Sequence, residues 1–122
     1  MLFRSALTGK PVIKAIKVGG PEDVAMAALY VDVAEFLLFD AKAPASLRNA
    51  LPGGNGIAFD WSLLEGRRGF MLSGGLNAEN VADAIHATGA AMVDASSGIE
   101  RAPGVKDPEL IRKFIERAKS AR

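Results

Sequence analysis

A chain of 122 residues, 49% apolar and 24% charged, falls in the size range of one globular domain with a core of its own. Its 15 basic and 14 acidic residues nearly cancel, which removes the electrostatic motive for binding nucleic acid, an anionic membrane surface or a polyanionic partner. Cysteine is absent, and with it any disulfide, thiolate metal site or cysteine nucleophile within these residues.

Met1 to Lys10 lacks the apolar core and cleavage site of a secretory signal, and no apolar run is long enough to span a bilayer. A soluble, cytoplasmic protein is expected. After Pro11, Val12 to Val18 is a β-branched run of strand length. Pro21, Glu22 and Asp23 open a helix, since proline suits its first position and carboxylates complement the positive end of its dipole. Val24, Ala27, Ala28 and Val31 are the expected buried stripe.

Phe36-Leu37-Leu38-Phe39 is apolar without alternation, the pattern of a parallel strand covered on both faces; it stops at Asp40. The stretch from Ala41 to Ala58, rich in proline, alanine and glycine, is too long for a simple connector and is expected to cover a site. Asp60 caps a short helix through Leu64, where capping accounts for it without chemistry. Gly69 to Ser73 is a third strand ending in Gly74-Gly75. Asn77 caps the next helix, whose buried face is Val81, Ala84, Ile85 and Thr88 and which ends at Gly89. His86 falls near its polar face.

Ala91 to Val93 is the fourth strand, followed by Asp94 and Ser96-Ser97-Gly98, a Pro103-Gly104 turn, and a last helix capped by Asp107 with Pro108 at its first position. Ile111, Phe114, Ile115 and Ala118 form its apolar face, and the cations from Arg112 onward belong to a solvated one. Strand alternating with helix four times predicts a parallel sheet with right-handed crossovers. That pattern fits half of a (β/α)8 barrel, which needs ~250 residues, and also an open doubly wound sheet.

In parallel α/β folds sites gather at the C-terminal ends of the strands. Here those ends carry Gly19-Gly20, Asp40, Ser73-Gly74-Gly75 and Asp94 with Ser96-Ser97-Gly98. The last two together predict a phosphate site, because adjacent glycines let backbone N–H groups approach an anion and a helix start adds partial positive charge. A tight turn and a helix cap explain each motif taken singly. Asp40 is either a solvated loop-entry residue or a carboxylate placed for acid–base work.

The segments Phe36 to Ala41, Pro52-Gly53-Gly54-Asn55-Gly56 with Phe59-Asp60-Trp61, Leu72 to Val81, and Val93 to Glu100 with Pro103 to Asp107 resemble, in that order, the C-terminal half of phosphoribosylanthranilate isomerase. The resemblance implies that residues 1–122 are a single partial domain, strands five to eight of a TIM barrel, the remaining half being absent. It implies a cofactor-independent and metal-independent Amadori rearrangement of N-(5-phosphoribosyl)anthranilate in tryptophan biosynthesis. Asp40 matches the family's general acid. Asp94, Gly54 and Gly56 match substrate-binding positions, and Gly74, Gly75, Ser96, Ser97 and Gly98 the phosphate turns. Asn55 departs from the small hydroxyl residue usual in its loop.

The larger departure is that the family's base, a cysteine in a Cys-Gly-Ile/Leu-Thr motif on strand one, has no counterpart here. An isolated chain is therefore expected to be inactive. Half a barrel also leaves strand edges unpaired, so a homo-oligomer or the missing half is the expected partner besides the substrate. Two other readings are another sugar-phosphate barrel using paired aspartates, and a freestanding half-barrel that binds phosphate without catalysis.

Overall fold

The computed structural model describes residues 9–41 and 59–121. Strand β1 (Ile13–Val18) leads through Gly19-Gly20 into helix α1 (Pro21–Ala25), which continues as a 3-10 turn over Met26–Leu29. The Asp23 carboxylate holds the entry by accepting the Gly19 and Gly20 N–H groups at 2.7 and 3.2 Å. Strand β2 (Phe36–Ala41) follows, and then a 3-10 turn (Trp61–Leu64) capped by Asp60, which accepts the Ser62 N–H at 3.0 Å. Strand β3 (Phe70–Leu72), helix α2 (Val81–Thr88) and strand β4 (Met92–Val93) complete the repeating pattern. A 3-10 turn (Ser97–Ile99), a hairpin of β5 (Glu100–Ala102) and β6 (Val105–Lys106), and helix α3 (Pro108–Ser120) close the described chain.

The four strands β1 to β4 are all parallel and lie in the order β1-β2-β3-β4. A doubly wound sheet reverses its order at a switch point and places helices on both faces; this one steps always in the same direction, as a barrel wall does. One face is sealed by the helices. Ile16, Val18, Phe39, Ala41, Phe70 and Leu72 point into it and are buried, with the Phe39 and Phe70 rings meeting edge to face at 5.5 Å.

Alternate residues form the other face, and because parallel partners face the same way the register sorts them into rows. Ile13 pairs with Phe36, and Ala15, Leu38, Met71 and Met92 make a second apolar row. Ile13 is 51% exposed and Phe36 38%. Among the described residues the unalternated run Phe36 to Phe39 is covered on one face only: its second face is apolar but open, the face that lines the interior when a barrel closes.

Several boundaries differ from the sequence expectation. The first helix changes to 3-10 after Ala25, so Ala28 is exposed and Val31 is 55% exposed instead of buried. Strand β2 runs through Asp40 to Ala41 instead of stopping before them. Helix α2 begins at Val81, and Asn77 caps the preceding turn, its Oδ1 accepting the N–H groups of Glu79 and Asn80 at 3.0 and 2.9 Å. Ile115 is 46% exposed, leaving Phe114 as the buried anchor of α3. His86 is exposed as expected, but its ring Nε2 lies 2.8 Å from the Ala121 carbonyl and ties α2 to the end of α3. No helix among the described residues is long and apolar enough to cross a membrane.

Candidate functional site

The third row of the open face is polar. Lys17 and Asp40 are register partners, and the ladder continues past the strand ends, since Ser73 N–H donates to Phe39 and Asp94 N–H to Leu72. Lys17, Asp40, Ser73 and Asp94 therefore follow one another across the C-terminal edge of the sheet. Asp40, Ser73, Gly74, Gly75, Leu76, Asp94, Ala95, Ser96 and Ser97 line a cavity of about 100 Å³ at this edge. A smaller groove, of about 80 Å³, beside Ala90 to Val93 and Ala118 lies at the opposite strand ends and holds no such set of polar groups.

Each polar residue is fixed locally. The Asp40 side chain is 15% exposed; its Oδ2 accepts from Lys17 Nζ at 2.6 Å and its Oδ1 from the Ala41 N–H at 2.8 Å. Asp94 Oδ2 accepts from the Ser73 hydroxyl at 3.1 Å. Gly74 has φ of +95°, and a Cβ there would come within 2.6 Å of Asp40 Oδ1 and 2.5 Å of the Ala41 nitrogen. Only glycine permits that approach. Gly98 lies behind the cavity: a Cβ on it would overlap the Leu76 carbonyl oxygen and lie 2.9 Å from the Leu76 carbonyl carbon, so the two turns at 74–76 and 96–98 are packed backbone to backbone.

The Gly75 carbonyl is turned away by the Asn80 amide, which donates to it at 2.8 Å while its Oδ1 accepts the Asn77 N–H at 2.8 Å. The N–H groups of Gly74, Gly75, Ser96 and Ser97 meet no acceptor among the described residues. Four unengaged backbone donors around one concavity, which Asp40 and Asp94 also line, are groups that can hold an anion. Nothing of comparable donor density for a cation accompanies them: no cluster of three His, Asp or Glu occurs among the described residues.

Of the residues singled out from sequence, Asp40, Gly74, Gly75, Asp94, Ser96 and Ser97 come together here, and Gly98 buttresses them. Gly54 and Gly56 lie outside the described residues, as does most of the loop from Ala41 to Ala58. Lys17 and Asn80 went unnoticed, although each touches the site through a single hydrogen bond to a residue that was named.

The fold and site define a parallel (β/α) protein of barrel type, with its polar cavity at the C-terminal strand ends. Residues 2–117 match the family described as N-(5'-phosphoribosyl)anthranilate isomerase, and the chain belongs to that family. It is 60% identical over 116 residues to the enzyme of this name from Parvibaculum lavamentivorans, covering 93% of this chain and 54% of that protein. The Rhodospirillum centenum enzyme is 56% identical over 113 residues, covering 90% and 52%. The chain thus spans about half the length of these relatives. Among solved structures, phosphoribosyl anthranilate isomerase from Thermotoga maritima superposes with a TM-score of 0.77 at 40% identity, over 96% of this chain and 55% of that one. A structure of the isomerase in complex with reduced 1-(o-carboxyphenylamino)-1-deoxyribulose 5-phosphate has a TM-score of 0.72 at 35% identity, covering 96% and 53%.

Proposed function

We propose that this chain is the C-terminal half, strands five to eight, of a phosphoribosylanthranilate isomerase acting in tryptophan biosynthesis in the cytoplasm. The observation that carries the reading is the single cavity in which two carboxylates face backbone donors from two adjacent turns. The substrate's phosphate is held by the N–H groups of Gly74, Gly75, Ser96 and Ser97, against the buttress of Gly98. Asp94 accepts from sugar hydroxyls, with Gly54 and Gly56 in the covering loop. Asp40 is the acid that protonates the ribose ring oxygen as the ring opens. For its Oδ2 to carry that proton Lys17 must release it, which a half-exposed lysine can do at small cost.

The proton removed from the sugar needs a base on the opposite wall, and the chain holds no cysteine. The complementary half-barrel supplies it and covers Ile13, Phe36 and their neighbours. A second copy of this chain covers the same face without supplying the base. The T. maritima isomerase is described as dimeric, which accords with copies associating here too.

The test is complementation. The 122-residue chain alone should leave phosphoribosylanthranilate unconverted, and mixing it with a purified N-terminal half of a family member should produce turnover that the Asp40→Asn variant loses by at least a hundredfold, in the range of general acid catalysis. Turnover by the chain alone, or unchanged turnover with Asp40→Asn, overturns the proposal.

A further inference from the structure

Resting on the phosphate-site reading, we infer that Lys106 and Glu100 are positioning residues, which lock the Ser96–Ser97 peptide so that the Ser97 N–H faces the anion. Lys106 Nζ donates to the Ser96 carbonyl oxygen at 2.9 Å, and the Ile99 N–H adds a longer bond to the same oxygen at 3.4 Å. Lys106 is not part of the cavity wall, whereas Ser96 and Ser97 are. The described chain has no cis peptide. In a planar trans unit the C=O and N–H point in opposite directions, so a carbonyl drawn out toward Lys106 turns the Ser97 N–H inward.

The ammonium is itself held. Lys106 pairs with Glu100 Oε2 at 2.6 Å, and Glu100 Oε1 accepts the Gly104 N–H at 3.2 Å across the turn between β5 and β6. The Asp107 N–H donates to the Ile99 carbonyl at 2.9 Å, fastening the hairpin's end to the turn it braces. Glu100 is 15% exposed while Lys106 is 47% exposed; without the carboxylate the lysine would sample many rotamers. The hairpin, which no part of the acid–base chemistry uses, thus acts as a strap that fixes one donor of the cradle before the anion arrives.

A lysine near an anion can act instead by charge, and the two roles give opposite signs. The test uses the 122-residue chain and its Lys106→Met, Lys106→Arg and Glu100→Gln variants, titrated with inorganic phosphate by calorimetry and by amide NMR. Positioning predicts that Lys106→Met shifts the Ser97 amide resonance before any phosphate is added and weakens binding about tenfold, the loss expected of one misdirected charge-assisted bond. Lys106→Arg should restore both, and Glu100→Gln should weaken binding, because the lysine is no longer held.

If Lys106 acted by charge, Glu100→Gln would tighten binding by removing a nearby negative group. That result, or an unmoved Ser97 amide in phosphate-free Lys106→Met, overturns the inference. Failure of the phosphate-site reading looks different: phosphate would leave the Gly75 and Ser97 amides of the parent chain unmoved, and the phosphate-free comparison would still decide whether the peptide is locked.

Discussion

Replacing Gly98 by alanine isolates what holds the two turns together. Gly98 does not lie in the left-handed region, so the added methyl introduces a steric cost without a dihedral one. It would overlap the Leu76 carbonyl oxygen and stand 2.9 Å from the Leu76 carbonyl carbon and 3.0 Å from Asn77 Cβ. Overpacking costs 1–3 kcal/mol where side chains can move aside. Here the obstacle is backbone, pinned by the Asn77–Asn80 bonds and by the Asn80 amide on the Gly75 carbonyl. The expected loss is therefore at the upper end, about 3 kcal/mol, a large share of the roughly 5–15 kcal/mol that holds a domain together. Urea unfolding should show a lower midpoint at unchanged slope, and phosphate titration should show weakened binding, since relief by separating the turns spreads the four donors. Gly89→Ala is the control: φ is +72° with nothing within 4 Å of the new methyl, so only the left-handed penalty of about 1–2 kcal/mol remains, and phosphate binding should hold. A Gly98→Ala protein that unfolds at the parent's urea midpoint and binds phosphate equally would refute the claim that these turns are locked by backbone contact.

Four further outcomes are expected. Phe39→Ala removes a fully buried ring packed edge to face against Phe70 and should cost about 3–5 kcal/mol by denaturant titration, without moving the polar row directly. His86→Ala loses the bond to the Ala121 carbonyl and should cost about 1 kcal/mol, seen as faster amide exchange at the end of α3. Glu100 has its pKa lowered below 4.5, first by its bond from Lys106 and then by the Gly104 N–H. Its contribution is fully present above that value and is lost as pH falls through the lowered one; acid titration of the Gly104 amide should report the hairpin loosening, and in Glu100→Gln that transition should vanish. Sedimentation at micromolar concentration should show a dimer or larger species, because among the described residues β1 and β4 each leave an edge unpaired and most of the open face is apolar; a folded monomer counts against it.

What could be read from the residues was what depends on neighbours in the chain. The apolar runs of β1 to β3, the left-handed Gly89 after α2 with φ of +72°, and the Asp107 cap, which accepts the Glu109 N–H at 2.9 Å, are local consequences of composition and order. The glycine and serine turns belong to this class too, because a strand end followed by small residues leaves its N–H groups free. Hidden were the relations that folding creates between distant residues. Lys17 lies 23 positions from Asp40, and nothing local to its strand points to that partner. The β5–β6 hairpin, of three and two residues, is too short for any period to register, so only its Pro103-Gly104 turn was legible. Asn80 carries no local sign of the bond its amide donates to the Gly75 carbonyl, since that bond depends on how the turn folds back. The change to 3-10 after Ala25 has a local trace only in hindsight, in a segment whose Leu29 and Val31 are left exposed at 69% and 55%.

The same division between near and far runs through the chemistry. An anion cradle can be assembled from two adjacent βα turns, and the side chains that hold those turns here, from Asn77 and Asn80 on one side to Glu100 and Lys106 on the other, lie within one continuous stretch of chain. A proton relay across a sugar ring cannot be built that way, because acid and base must stand on opposite sides of the substrate, and opposite sides of a barrel are far apart in sequence. Half a barrel therefore retains binding more readily than catalysis. The open face carries the same division: a polar row at the strand ends and apolar rows beneath it that are uncovered among the described residues.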